Sequence, residues 1–318
     1  MSIKRDVTGV LLLDKPAGLS SNSAVGRVKR LFNAAKVGHT GTLDPFATGL
    51  LPLALGEASK YSRFLLDAVK GYTAELKLGV TTTTGDPEGE VVSQNPVRVS
   101  RPQIEAVLSR FLGIQQQIPP MHSALKQGGV PLYKLARQGI EVERAARTIT
   151  IEALKLQSWD GVARLTIDVT CSKGTYIRVL AEEIGAALGC GAFLTALRRT
   201  RAGRFDIGQA HTLEAIETLA LNDRDPLLAP AEILTADLPS LLLEQASANL
   251  LGHGRKVPFD ASSANPGEGE GEYRVYSAGG LFMGVVSLVV DGGKKWLIPV
   301  RLMSDATKAV TTQRHEST

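Results

Sequence analysis

The chain has 318 residues, enough to bury a large core and to hold more than one domain. Hydrophobic residues make up 43% and charged residues 21%, the balance of an ordinary soluble protein, and the formal net charge of +4 permits a polyanionic partner without demanding one. Two cysteines, Cys171 and Cys190, supply neither a disulfide framework nor a metal-ligand spacing, which fits a reducing cytoplasm.

The apolar run at 10–13 is ended by Asp14, Lys15 and Pro16. It is too short for a membrane span and lacks a small-residue cleavage site, and no other stretch is long enough to cross a bilayer. The segment GVLLLDKPAGLSSNSAVGRVKRLF reads as a short strand, a turn, and a helix capped by Ser21 or Asn22. Next comes GHTGTLDPFATGLLPLALGEASK (38–60), which holds one carboxylate, Asp44. Pro45 pushes Asp44 toward extended or turn geometry, and Gly38, Gly41 and Gly49 supply conformations that other residues resist. Asp44 is either presented for chemistry from a shaped loop or is a turn aspartate bonding its own backbone. Local composition leaves both open.

Helical apolar spacing follows at 58–69. GYTAELKLG (71–79) alternates Tyr72, Ala74, Leu76 and Leu78 against Thr73, Glu75 and Lys77, the pattern of a half-buried strand. A turn-rich stretch covers 81–90, and 101–113 predicts a helix with Pro102 in its first turn and Gly113 at its end. Residues 117–139 form a loop-rich excursion that ends in a short basic helix; such loops tend to be functional or mobile. Two antiparallel strands over 147–176 turn at Asp160-Gly161, a helix over 176–189 is closed by Gly189, and a basic strand occupies 192–205. After about residue 235 a helix, a low-complexity loop (261–272) and short strands (273–303) suggest a compact β module, with a polar, disordered tail at 306–318. Hairpins outnumber βαβ units, so the fold class is α+β with an antiparallel sheet.

Three clusters could carry chemistry. In CSKGTYIRVLAEEIG, Tyr176 and Arg178 sit at a strand-to-helix junction. The helix N-terminus could hold a phosphate, Arg178 could pair with a carboxylate through its planar fork, or Arg178 could be one more surface arginine. In LRRTRAGRF, Arg198, Arg199, Arg201 and Arg204 have the density of a polyanion groove, or of an edge strand guarded by charge. The basic loop residues Lys126, Lys134, Arg137, Arg144 and Arg147 favour the groove. His39 lacks partners at metal-ligand spacing, and a base-stacking role suits its flat ring better. No nucleophile elbow or phosphate-loop motif is present. One carboxylate, an arginine partner, flat rings and a basic groove fit chemistry on a base extruded from a folded nucleic acid. The carboxylate would act as nucleophile or base. A non-catalytic RNA-binding or tRNA-folding chaperone is the rival reading. A base-cleaving hydrolase is disfavoured because no second carboxylate is evident.

The stretches DKPAGLSSN, GHTGTLDPFATGLLPL, IPPMHSALKQGGVPLYKLAR and SKGTYIRVLAEEIG…GCGAFLTALRRT resemble, in order and spacing, the bacterial tRNA pseudouridine-55 synthases of the TruB family. The likeness runs from about residue 8 to 210, with a looser match beyond. It implies a mixed, mainly antiparallel sheet flanked by helices over 1–235, an RNA-clamping loop at about 117–147, and a PUA-like RNA-binding module over 236–305. It also implies isomerisation of a T-arm uridine of tRNA by a cytoplasmic monomer that uses no metal, no nucleotide cofactor and no membrane. By motif, Asp44 is the catalytic aspartate, Tyr72 the ring on the target uracil and Arg178 the partner of Asp44. Tyr176 and Leu197 are pocket walls, His39 assists extrusion, and Lys15 with Pro16 buttresses the Asp44 loop. Arg198 and Arg199 are expected on the RNA. One departure is Thr83, where the family often has an acid; Asp86 is retained.

Overall fold

A computed structural model describes residues 4–259 and 269–304. The tail at 306–318 and most of the low-complexity loop lie outside the described residues. Strand β1 (Gly9–Lys15) is buried almost throughout, and helix α1 (Ser21–Leu31) follows. Its N-cap is Ser20, whose hydroxyl accepts the Ser23 N–H, rather than Ser21 or Asn22. Ser21 is unavailable because its hydroxyl faces inward to Leu43. β2 (Val37–His39) and β3 (Thr48–Leu55) flank the Asp44 loop. The helical spacing at 58–69 becomes a 3-10 turn, Gly56–Tyr61, and a short α2 (Ser62–Leu66).

β4 (Lys70–Leu78) keeps the expected alternation, with Ala74, Leu76 and Leu78 buried and Glu75 exposed. β5 (Val80–Thr82) and β6 (Val91–Gln94) form a small hairpin around the Thr-rich turn. α3 (Arg101–Ser109) has Pro102 in its first turn and leads to β7 (Gly113–Gln117). The excursion contains only β8 (Lys126–Gln127), β9 (Val130–Pro131) and α4 (Leu132–Ala136). β10 (Arg147–Trp159) and β11 (Arg164–Cys171) form a hairpin. At its turn the Asp160 carboxylate accepts the N–H groups of Val162, Ala163 and Arg164. α5 (Ile177–Ala187) and β12 (Ala192–Ala202) come next, then the short β13 (Phe205–Asp206), β14 (His211–Thr212) and α6 (Leu213–Thr218).

The large sheet has ten strands among the described residues, in the order β14-β1-β3-β12-β4-β11-β10-β7, with β2 beside β3 and β13 beside β12. The β14–β1 and β3–β12 pairs are parallel and the rest antiparallel, so the sheet is mixed and mainly antiparallel. Strand periodicity divides two cores. On β1, Leu11 and Leu13 face a cluster that takes in α1, α3 and α5, while Val10 and Leu12 face the opposite one. In α5, Ile177, Leu180, Ala181 and Ile184 recur at three- and four-residue spacing and form its buried stripe.

The C-terminal module comprises β15 (Ser240–Leu243), α7 (Gln245–Gly252), β16 (Val257–Pro258), β17 (Gly271–Ser277), β18 (Phe282–Asp291) and β19 (Lys294–Leu302). Its five-stranded sheet, in the order β15-β17-β18-β19-β16, has a core of its own. Phe282, Val285 and Met303 also pack on the second face of the large sheet, where the Tyr61 and Phe282 rings meet edge-on at 5.5 Å. No helix among the described residues is long and apolar enough to cross a membrane.

Candidate active site

The loop between β2 and β3 carries Asp44 and is tied down at three points. Ser21 both accepts the Leu43 N–H (2.8 Å) and donates to the Leu43 carbonyl (2.9 Å), fixing the residue before Asp44. On the far side, the Pro45 carbonyl accepts the Gly18 N–H at 2.8 Å and the Lys15 ammonium at 3.3 Å. Lys15 is fully buried and donates as well to the carbonyls of Pro16 and Leu19. Burial lowers its pKa to about 8, against the pull of Asp44. The third tie is Arg199, which donates to the carbonyls of Leu50 (2.7 Å), Gly41 (3.2 Å) and Thr42 (3.4 Å). Gly41 sits at φ +143°, where a side chain would be strained.

So held, Asp44 directs its carboxylate at Arg178, with Nε and Oδ2 3.0 Å apart. Arg178 is 4% exposed and uses its whole fork. Nη1 lies 3.3 Å from Asp86 Oδ2 and donates to the Thr84 carbonyl at 3.0 Å; Nη2 donates to the His122 carbonyl at 2.6 Å. Arg178 stands in the first turn of α5, where the helix dipole disfavours a cation, and the two carboxylates offset that. Burial pushes the Asp44 carboxyl above the usual carboxylate range, and the Asp86 charge adds to the push; Arg178 and Lys15 oppose it.

A cavity of about 420 Å³ opens over this pair. Its walls include Tyr72 from β4, Leu197 and Arg199 from β12, and Tyr176 at the start of α5. Burial holds the Tyr72 phenol above its ordinary pKa, so it stays neutral. The Tyr176 backbone is fixed by Gln117, which accepts its N–H at 2.7 Å and donates to its carbonyl at 3.1 Å. Ser123, Ala124 and Leu125, from the start of the excursion, complete one side.

The N-terminal domain of TruB family pseudouridylate synthases matches residues 29–177, the tRNA pseudouridylate synthase B C-terminal domain matches 178–235, and the C-terminal region of pseudouridine synthase II TruB matches 239–303. Curated relatives called tRNA pseudouridine synthase B are 50% identical over 309 residues in Chromobacterium violaceum (97% of this chain, 98% of the relative) and 52% identical over 301 residues in Thiobacillus denitrificans (95% and 97%). The chain belongs to the TruB pseudouridine synthase family. Its fold is similar to a chain in the crystal structure of a Cbf5-Nop10-Gar1 complex (TM-score 0.72, 25% identity, 94% of this chain and 86% of that one). It is also similar to a chain in an archaeal box H/ACA sRNP Nop10-Cbf5 complex (0.69, 25%, 94% and 88%). The C-terminal β module is PUA-like, as TruB membership implies.

Of the residues singled out in the TruB motifs, Asp44, Tyr72, Tyr176, Arg178, Leu197 and Arg199 line one cavity. Asp44 is not a turn aspartate, since its carboxylate meets Arg178. Lys15 lies beneath the loop, closed off from any ligand. His39 is outside the cavity wall, its Nδ1 accepting the Gly41 N–H at 3.3 Å. The arginine strand needs correction. Arg199 is 2% exposed and bonded to carbonyls, so it is not a phosphate contact. Arg198 makes a two-point pair with Asp14, at 3.0 and 2.7 Å, and stays partly exposed. The view of Asp44 as a solitary acid is corrected too, because Asp86 shares its arginine. Asp86, the acid retained in the Thr-rich turn, also accepts the Glu88 N–H. Ser21 and Gln117 were missed as parts of the site, since nothing local marks their distant partners.

Proposed function

We propose that the chain isomerises uridine 55 in the T arm of tRNA to pseudouridine, with Asp44 as the reacting acid. The reading rests chiefly on the Asp44–Arg178 pair opening onto a cavity walled by Tyr72 and Leu197. It is supported by membership of a family whose curated relatives are named tRNA pseudouridine synthase B. A volume near 420 Å³ suits a flipped nucleoside. In this scheme the uracil stacks on Tyr72. Asp44 attacks C1′ or removes the C2′ proton, and the N1–C1′ bond breaks. The freed uracil turns and C5 bonds to C1′ as the Asp44 ester bond breaks or the proton returns to C2′; C5 then loses its proton and N1 gains one, so the product is an isomer. Partial desolvation makes the Asp44 carboxylate more reactive, while Arg178 keeps it ionised and aimed.

The excursion at 117–147 would close over the T stem-loop. Its start already touches the site, through the His122 carbonyl on Arg178 and Ser123 to Leu125 on the cavity wall. Residues 1–235 would be the catalytic domain and 236–305 the RNA-binding one. The protein would act as a cytoplasmic monomer, a setting that suits two free, buried cysteines.

The test is tritium release from tRNA carrying 5-tritiated uridine. Asp44→Ala and Asp44→Asn should release none while tRNA affinity stays within roughly tenfold, about 1.4 kcal/mol. Near-normal release from either variant removes Asp44 from the chemistry.

A further inference from the structure

Arg199 is the largest fully buried side chain among the described residues, and its hydrogen-bond acceptors are backbone carbonyls. A core position filled only for packing would take a Met or Leu at less cost, because a buried cation is expensive to desolvate and carbonyls compensate it incompletely. The side chain is therefore unexplained by packing, and its acceptors show what it joins. Gly41 and Thr42 precede Asp44 in the loop, and Leu50 is on β3. In the β12–β4 register Arg199 stands directly opposite Tyr72, and its guanidinium faces the Tyr72 hydroxyl. Residues opposite each other in antiparallel strands share a face of the sheet. The backbone there is equally committed: Arg199 pairs in parallel with Gly49, where a Cβ would meet the Arg199 carbonyl oxygen at 2.3 Å.

We propose that Arg199 is a positioning residue that couples the two working walls of the cavity, setting the Asp44 loop against the Tyr72 ring through one planar guanidinium. Nε is bound to the rigid sheet, the two terminal nitrogens to the loop, and the guanidinium also faces the Tyr72 hydroxyl. The distance between acid and ring is then fixed by the fork geometry and not by loop packing alone. A lysine carries the same charge but has a single nitrogen and cannot span β3 and the loop together. The inference rests on Asp44 and Tyr72 being the reacting acid and the base platform.

The experiment compares wild type, Arg199→Lys and Arg199→Ala in steady-state tritium release over a range of tRNA concentrations, below each variant's own thermal midpoint. The expected result is a kcat loss of about a hundredfold in Arg199→Lys with KM for tRNA little changed, since misplacement by about 1 Å costs that much. Added methylguanidinium should restore part of the Arg199→Ala rate, because it can refill the carbonyl-lined site; an effect on packing alone would not respond to it. Three outcomes overturn the proposal: wild-type kcat in Arg199→Lys, a loss confined to KM, or an Arg199→Lys chain that does not fold at any assay temperature. Absence of tritium release from wild type would instead defeat the functional reading and leave the geometry of Arg199 untouched.

Discussion

Replacing Arg178 by Met removes the centre of the charge network and leaves its two acids behind. Arg178 and Asp86 are each only 4% exposed and lie 3.3 Å apart, so the substitution strands a buried carboxylate. Breaking such a pair from one side costs about 3–5 kcal/mol. The half-exposed Asp44 adds little, since solvent screens it. For a chain of this size that loss lowers the thermal midpoint by roughly 4–8 °C. The second change, Asp86→Asn in the Arg178→Met background, removes the stranded charge and should regain part of the midpoint, so the two substitutions will not add. Activity changes in a direction the site dictates. Arg178 is the chief influence holding the Asp44 pKa down against burial, so without it the carboxyl rises further. The acid limb of the single-turnover rate, which follows ionisation of Asp44, should move to higher pH. Calorimetry and the pH profile of tritium release measure these effects. Additive midpoints, or an acid limb that stays where wild type has it, would refute the assignment of Arg178 as the hub of both carboxylates.

Two further expectations follow from the same geometry. Because the folded-state Asp44 pKa is raised, the native protein binds more protons than the unfolded chain just above the ordinary carboxylate range and loses stability as pH rises through that window. Asp44→Asn, which the proposed chemistry makes inactive, should therefore be more stable than wild type at neutral pH, with the advantage vanishing in acid; a midpoint gain that persists below the ordinary aspartate pKa contradicts this. Gly49→Ala should cost on the order of 3 kcal/mol by combining φ +101° with a Cβ that meets the Arg199 backbone, and wild-type denaturant midpoints would show that the β3–β12 contact yields freely.

Local pattern carried much of the fold. The alternation in β4, the Asp160 turn and the Pro102 helix start are set by residues a few positions apart, and the sequence shows them directly. Asp44 and Arg178 stood out because the motifs that hold them are distinctive as strings. The misses have one cause. Asp86, Gln117, Ser21 and Arg199 act on partners that sheet order delivers from 22 to 158 residues away, and no periodicity encodes sheet order. Arg199 is the sharpest instance. As a string, four arginines in LRRTRAGRF suggest an exposed basic strand, yet β12 lies in the middle of the sheet, between β3 and β4. A central strand sends alternate side chains into protein on either face, so the inward arginine had to find acceptors there. The same central placement made it a bridge between two walls of the cavity.

The electrostatics explain why so many elements converge on one short loop. A carboxylate out of water is reactive and unstable for the same reason, because burial favours its protonated form. Simple neutralisation by a tight, fully buried ion pair would keep it charged but would also quench it. The structure takes a middle course. Asp44 keeps a partly exposed side chain toward the cavity while Arg178 holds one oxygen at 3.0 Å and divides its own charge with Asp86. Lys15 adds positive charge from beneath without touching the carboxylate, its ammonium being bonded to three carbonyls. Each contribution is weak enough to leave Asp44 available and short enough in range to fail if the loop drifts. A loop in that position must be rigid, and rigidity here comes from backbone carbonyls anchored by Lys15, Ser21 and Arg199 rather than from any bond to Asp44 itself.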